Sequence, residues 1–226
     1  MQLKVYPAPS PSGAIVVAHG AGAGQTSPFM VRTAAGLSER GISAATFDFP
    51  YMAAKRSAPD RPDVLERAWR DAIEAAHATF GELPLFIGGK SMGGRIASQA
   101  AAQGADAIAG LIFLGYPLHP PGKPDQRRDA HLAAIAEPML FVQGTRDAFG
   151  TTGEIAALLP RLQNARLHEI NGGDHSFKVS GRGAPKPDAV LESVLDVVRD
   201  WIASVIAGGE KRAGTKKPAS RKGTSG

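Results

Sequence analysis

Ser91, Asp147 and His175 are the residues of this chain whose types, order and surroundings could together carry out nucleophilic chemistry. Ser91 lies in Gly89-Lys90-Ser91-Met92-Gly93, a G-x-S-x-G pattern between the apolar run Leu85-Phe86-Ile87 and an alanine-rich helical stretch. At such a strand–turn–helix junction a sharp turn lifts the serine clear of the sheet, and the flanking glycines let the helix fold back against the strand. A serine hydroxyl needs a base to take its proton, and the base needs an acid to hold its tautomer and steady the imidazolium. Asp147 follows the apolar run ending at Val142, and His175 follows the run ending near Ile170, so acid and base come in the order Ser, Asp, His. Asp174 is the alternative acid. Adjacent residues rarely point together off a tight loop, which favours Asp147. His168 competes with His175 by position, but it sits inside a strand pattern, where a structural role is expected.

Attack on a carbonyl also requires two backbone N–H groups aimed at the developing oxyanion. Met92, next after the nucleophile, supplies one. The other is expected from the run His19-Gly20-Ala21-Gly22 after the first core strand, with Ala21 preferred and Gly22 next. His19, Tyr51, Lys90, Tyr116, His119 and Phe149 are candidates for the substrate pocket, with Met52 as further apolar wall. Lys90 has two readings. It could form a cationic wall that favours an anionic substrate, or it could pair with Asp48 at a neighbouring strand end. The ion pair is favoured, because a buried unpaired ammonium is costly.

Two phosphate-binding readings compete. Gly89-Lys90-Ser91 imitates the end of a Walker loop, but the required first glycine falls at Pro84 and the residues between form a strand. Gly20, Gly22 and Gly24 after an apolar run, with Asp48 ending the next, imitate a dinucleotide site. Their spacing is G-x-G-x-G rather than G-x-G-x-x-G, and that reading leaves Ser91, Asp147 and His175 unexplained. No cofactor and no metal are expected.

Positioning these residues falls to alternating strands and helices. Near-continuous apolar runs at 14–18, 43–49, 83–87, 109–114, 138–142 and 165–170 read as strands buried on both faces. Helical periodicity appears at 29–39, 63–80, 92–103, 152–162 and 187–207. The last of these carries Val190, Val194, Val198, Trp201 and Val205 on one stripe. Alternation of this kind predicts a mostly parallel twisted sheet with helices on both faces, whose ligands bind at the carboxyl ends of the strands. Each of the three chemical residues follows such a strand end.

The 226 residues, 43% hydrophobic, suffice for one core. The chain has no cysteine, which excludes disulfides, thiolate metal sites and a cysteine nucleophile. Residues 1–10 lack the layout of a signal peptide, and no apolar run approaches the roughly 20 residues of a membrane span, so a cytoplasmic protein is expected. The formal charge of +5 resides entirely in 208–226, leaving the body neutral. That tail has no apolar periodicity and is expected to be disordered. It is read as a solvated tail, the alternative being weak contact with nucleic acid.

The segments HGAGAGQTSPFM, FDFPYM, GGKSMGGRIAS, LGYPLHPPGKP, His131-Leu132, FVQGTRDAFGT and GGDHSFKV, spread over most of 14–180, closely resemble the bacterial branch of the testis-expressed-30/KANSL3-like α/β-hydrolase family, which is similar to dienelactone hydrolases. Leu118 departs from that pattern, where an aromatic residue is expected. The resemblance implies an α/β-hydrolase fold with Ser91, Asp147 and His175 as its triad and no substrate in particular. The stretch 116–137 is too short for an inserted lid domain. The expectation is a hydrolase domain over 1–207 that cleaves a small soluble ester, thioester or related acyl bond. The competing expectation is a catalytically silent binding or assembly module that uses the tail.

Overall fold

The structure, a computed structural model, describes residues 2–104 and 107–214, the last five by backbone alone. Five apolar runs become the buried strands β2 (Gly13–Ala18), β3 (Ile42–Phe47), β4 (Leu85–Lys90), β5 (Gly110–Leu114) and β6 (Met139–Gly144). Strand β7 (Ala165–Ile170) closes one edge. The short β1 (Lys4–Tyr6), too polar and brief to stand out in the sequence, closes the other. The order is β1-β3-β2-β4-β5-β6-β7, parallel throughout except for β1 against β3.

Side chains alternate between two apolar layers, as strand geometry requires. Ala14, Val16 and Ala18 of β2 face a layer shared with α3 (Pro62–Phe80) and α4 (Met92–Ala102), where Leu65, Trp69 and Ile96 pack. Ile15 and Val17 face the opposite layer, built with α1 (Pro28–Glu39) and α6 (Pro187–Gly214) from Met30, Leu37, Val194 and Trp201. Coverage of both faces explains why the central strands carry no polar alternation.

Three element ends differ from the sequence pattern. Strand β3 stops at Phe47 because Pro50 opens the short helix α2 (Pro50–Ala53). The helix expected over 152–162 divides into α5 (Thr152–Ala156) and a 3-10 turn at Leu159–Arg161, since Pro160 cannot donate the helical hydrogen bond. Where a tail is expected from 208, α6 continues to Gly214. Residues 215–226, the rest of that basic tail, lie outside the described residues. No described helix is long and apolar enough to cross a membrane.

The topology places the site. From β2 the chain crosses to β3 on one side, then through α3 to β4 on the other, so the loops leaving β2 and β4 diverge at a switch point. Parallel sheets leave a crevice there, at the carboxyl ends of the strands. Among the described residues, the β5–β6 connection holds one 3-10 turn (Leu132–Ala134) and no lid domain.

Candidate active site

Ser91 occupies the turn between β4 and α4 with φ +50° and ψ −116°, a conformation that a non-glycine residue rarely adopts. Its N–H donates to Leu114 O of β5 at 3.2 Å, which pins the turn to the neighbouring strand. The flanking glycines are required by close backbone approach. A Cβ at Gly89 would lie 2.2 Å from Ala18 O, and one at Gly93 2.4 Å from the same oxygen. Trp69 Nε1 donates to Gly93 O at 3.1 Å, tying α3 to the start of α4.

His175, on the loop after β7, lies with Nε2 2.8 Å from Ser91 Oγ and Nδ1 2.8 Å from Asp147 Oδ2. With Nδ1 donating to the carboxylate, Nε2 is left to accept the serine proton. Phe149 covers the imidazole, with ring centroids 4.2 Å apart. Asp174 does not compete for His175. Its Oδ1 accepts the amides of Ser176 and Lys178 at 2.8 and 3.0 Å and holds the loop that presents the histidine. His168 stays mid-strand in β7, paired in register with Val142, and burial lowers its pKa.

Asp147 is 1% exposed, and donors surround it: His175 on Oδ2, Phe149 N on Oδ1 at 2.8 Å, and Gln143 Nε2 on Oδ2 at 2.9 Å. Gln143, fully buried at the end of β6, has no counterpart in the sequence reading. It donates to Gly150 O at 2.7 Å and accepts from Tyr116 N at 2.8 Å, locking the acid's loop to that of β5. The available signal was an uncharged polar residue closing an otherwise apolar strand.

The loop after β2 is held from behind. Phe49 N donates to His19 Nε2 at 3.2 Å, so the ring's proton sits on Nδ1, which donates to Gly20 O at 2.7 Å. That bond orients the peptide whose N–H belongs to Ala21. Tyr51 Oη donates to Ala21 O at 3.0 Å and orients the next peptide, that of Gly22. Burial pushes the His19 pKa down, which keeps the ring neutral as this network requires. Ala21, Gly22 and Met92 all border the cleft above Ser91.

That cleft, about 600 Å³, is walled by Phe29, Met30, Leu65 and Met92, with Lys90 and Phe149 also at its surface. Four expected pocket residues are not at its wall. His19 and Tyr51 are fully buried beneath the β2 loop. Tyr116 is buried among Phe113 and Phe141 and donates to Arg128 O at 2.7 Å. His119 is 6% exposed and turns to Glu154 at 3.0 Å. Leu118 likewise packs into the core. The core claims Tyr51, Tyr116 and Leu118, and hydrogen bonds hold His19 and His119 away from the cleft. A second groove of about 680 Å³, lined by Pro84, Ala109, Pro138 and Trp201, lies at the opposite, amino ends of the strands and holds none of these groups.

The expected Lys90–Asp48 ion pair is absent. Strand β2 separates β3 from β4, and Asp48 instead accepts Gln25 N at 2.7 Å and Gln25 Nε2 at 3.2 Å. Lys90 Nζ donates to His175 O and lies 5.0 Å from the Phe177 ring centroid. Burial pushes its pKa down to about 8, against the pull of Asp147 and Asp174.

A seven-stranded, mostly parallel sheet with a strained serine turn at its switch point and a histidine and a carboxylate at later strand ends defines an α/β hydrolase. The chain belongs to the family described as the alpha/beta hydrolase domain, whose model matches residues 11–203, and it is a hydrolase. Solved structures share the fold at low identity. Dienelactone hydrolase from Anabaena variabilis is 20% identical with a TM-score of 0.70, covering 89% of this chain and 90% of that one. The esterase Est1E from Butyrivibrio proteoclasticus with ferulic acid bound is 17% identical, TM-score 0.67, covering 91% and 95%. The monoacylglycerol lipase of Paleococcus ferrophilus is 18% identical, TM-score 0.67, covering 91% and 100%.

Proposed function

We propose that this hydrolase cleaves a small soluble ester, thioester or related acyl bond through Ser91, His175 and Asp147, and that it belongs to the testis-expressed-30/KANSL3-like branch of its family. The observation that carries the reading is the continuous hydrogen-bond chain Ser91 Oγ–His175 Nε2 and His175 Nδ1–Asp147 Oδ2, each link 2.8 Å.

His175 Nε2 takes the Ser91 proton as Oγ bonds to the carbonyl carbon, and the electron pair of the C=O moves onto oxygen. The N–H groups of Ala21 and Met92, with Gly22 adjacent, receive that oxyanion. The tetrahedral intermediate collapses, His175 protonates the departing alcohol or thiol, and an acyl-serine remains. Water, deprotonated by His175, then releases the acid and restores the hydroxyl. Asp147 steadies the imidazolium in both halves without taking a proton. Asp147 itself is held by Gln143 and Phe149 N. The enzyme is read as cytoplasmic, with the hydrolase domain over 1–207, a small-molecule substrate and no membrane partner, contact of the basic tail with nucleic acid being the less favoured alternative.

Labelling with a fluorophosphonate probe tests the reading. Wild-type protein is expected to label at one site, Ser91→Ala not at all, and ester turnover by Ser91→Ala or His175→Ala should fall by several orders of magnitude. Absence of Ser91-dependent labelling under conditions that label a control hydrolase would favour a catalytically silent binding module.

A further inference from the structure

The cleft beside Ser91 has a polarity that acyl transfer does not require. Two guanidinium side chains, Arg95 and Arg128, border it together with Ser91 and His175. Arg95 stands one helical turn beyond the nucleophile on α4, its N–H donating to Ser91 O at 3.1 Å. Arg128 arrives from the β5–β6 connection, anchored by Arg128 N donating to Leu118 O at 2.8 Å and by Tyr116 Oη donating to Arg128 O.

Several arginines elsewhere in this chain find carboxylates. Arg40 meets Asp196 and Glu192, both at 2.8 Å, and Arg127, immediately before Arg128, bonds Asp129 at 2.9 Å. Among the described residues neither Arg95 nor Arg128 has a carboxylate partner. The Arg95 guanidinium makes one side-chain bond, to Gln99 Oε1 at 3.2 Å, and its Nε is buried with no acceptor. Burial, and then the like charge of Arg128, lower its pKa. A desolvated donor without an acceptor is costly, and two like charges bordering one cleft add repulsion.

Two other charged groups border the cleft and pair elsewhere: Asp60 accepts from Arg56 through Oδ1 at 2.6 Å, with Oδ2 buried and unpartnered, and the Lys90 ammonium is held by His175 O. Asp60 pairs with Arg56, so Arg95 and Arg128 border the cleft without a carboxylate of their own, and a guanidinium fork matches a carboxylate in shape and in donor count. The apolar wall of Phe29, Met30, Leu65 and Met92 suits a hydrocarbon spacer between that charge and the reacting carbonyl.

We propose that Arg95 and Arg128 bind a carboxylate carried by the substrate, so that this enzyme hydrolyses anionic acyl compounds. The proposal rests on Ser91 acting as the nucleophile. It moves the anion-recognising role, which the sequence suggested for Lys90, to two arginines that its motifs did not single out for this role.

Matched esters test it. The p-nitrophenyl monoester of adipate places the charge on the acyl side, and the hexanoate ester of 5-hydroxy-2-nitrobenzoate places it on the leaving group. p-Nitrophenyl hexanoate is the neutral reference. Wild type is expected to prefer one charged ester by about tenfold or more in kcat/KM, the scale of one charge-assisted hydrogen bond. That preference should weaken as ionic strength rises. Arg128→Met and Arg95→Met should each lower kcat/KM for the favoured charged ester at least tenfold more than for the neutral one. Arg128→Met decides if Arg95→Met does not fold. No preference on either side, or a preference that survives Arg128→Met, overturns the proposal while leaving Ser91 labelling intact. If none of the esters is turned over, the rate of fluorophosphonate labelling is read instead. Adipate should slow it in wild type but not in Arg128→Met, and equal protection or none overturns the proposal.

Discussion

Lys90→Met should change the pH dependence of stability in a direction that the structure dictates. The Lys90 ammonium sits between His175 O and the Phe177 ring, with no carboxylate in an ion pair, and its pKa falls from 10.5 to about 8. At about 1.4 kcal/mol per pH unit, that fall corresponds to about 3 kcal/mol of disfavour for the charged form in the folded protein. Below pH 8 the lysine is charged in both folded and unfolded chains, and the cost is borne in full. Above 10.5 it is neutral in both, and the cost is gone. Between these limits the unfolded chain binds more protons, so wild-type stability gains with rising pH relative to a variant without the amine. Urea denaturation of both proteins at pH 7 and pH 10 is expected to show the difference in unfolding free energy, variant minus wild type, falling by about 2–3 kcal/mol. The change with pH is the test, because methionine also gives up the hydrogen bond to His175 O. A difference that stays constant or grows with pH refutes the placement of the ammonium in a desolvated site.

Two further substitutions probe the supports of the site. Gln143→Leu strands Gly150 O and Tyr116 N and takes one of three donors from the Asp147 carboxylate, so it should cost about 3 kcal/mol, lower Tm by roughly 6–12 °C in calorimetry and slow fluorophosphonate labelling of Ser91. Unchanged labelling would show that Gln143 does not position the acid. Gly93→Ala drives a Cβ to within 2.4 Å of Ala18 O and should cost several kcal/mol and most Ser91 labelling. Gly153→Ala, whose nearest neighbour is 3.9 Å away, should leave Tm within about 2 °C.

Much of this protein was legible in the chain because its signals are local. The apolar runs that became β2 to β6 announce burial on both faces, and the turn at Gly89 to Gly93 carries the small residues that its close approach to Ala18 demands. Ser91, Asp147 and His175 could be picked out because each follows a strand end, and strand ends are local features. Their mutual distances are not. Lys90 was assigned to Asp48 because both close strands, yet the sheet order puts β2 between those strands, and pairing across a sheet is invisible along the chain. His19, Tyr51, Tyr116 and His119 looked like pocket residues from their positions in loops. In the fold, the core takes up Tyr51 and Tyr116, hydrogen bonds hold His19 and His119, and His19 and Tyr51 orient the peptides of Ala21 and Gly22 from behind. Gln143, Arg95 and Arg128 gained meaning only when the end of β6, the start of α4 and the β5–β6 connection met at the carboxyl side of the sheet. Residue types and order determined what chemistry the chain could attempt. The packing of distant segments decided which charges stand unpaired beside it, because desolvation and partner distance are properties of the folded assembly alone.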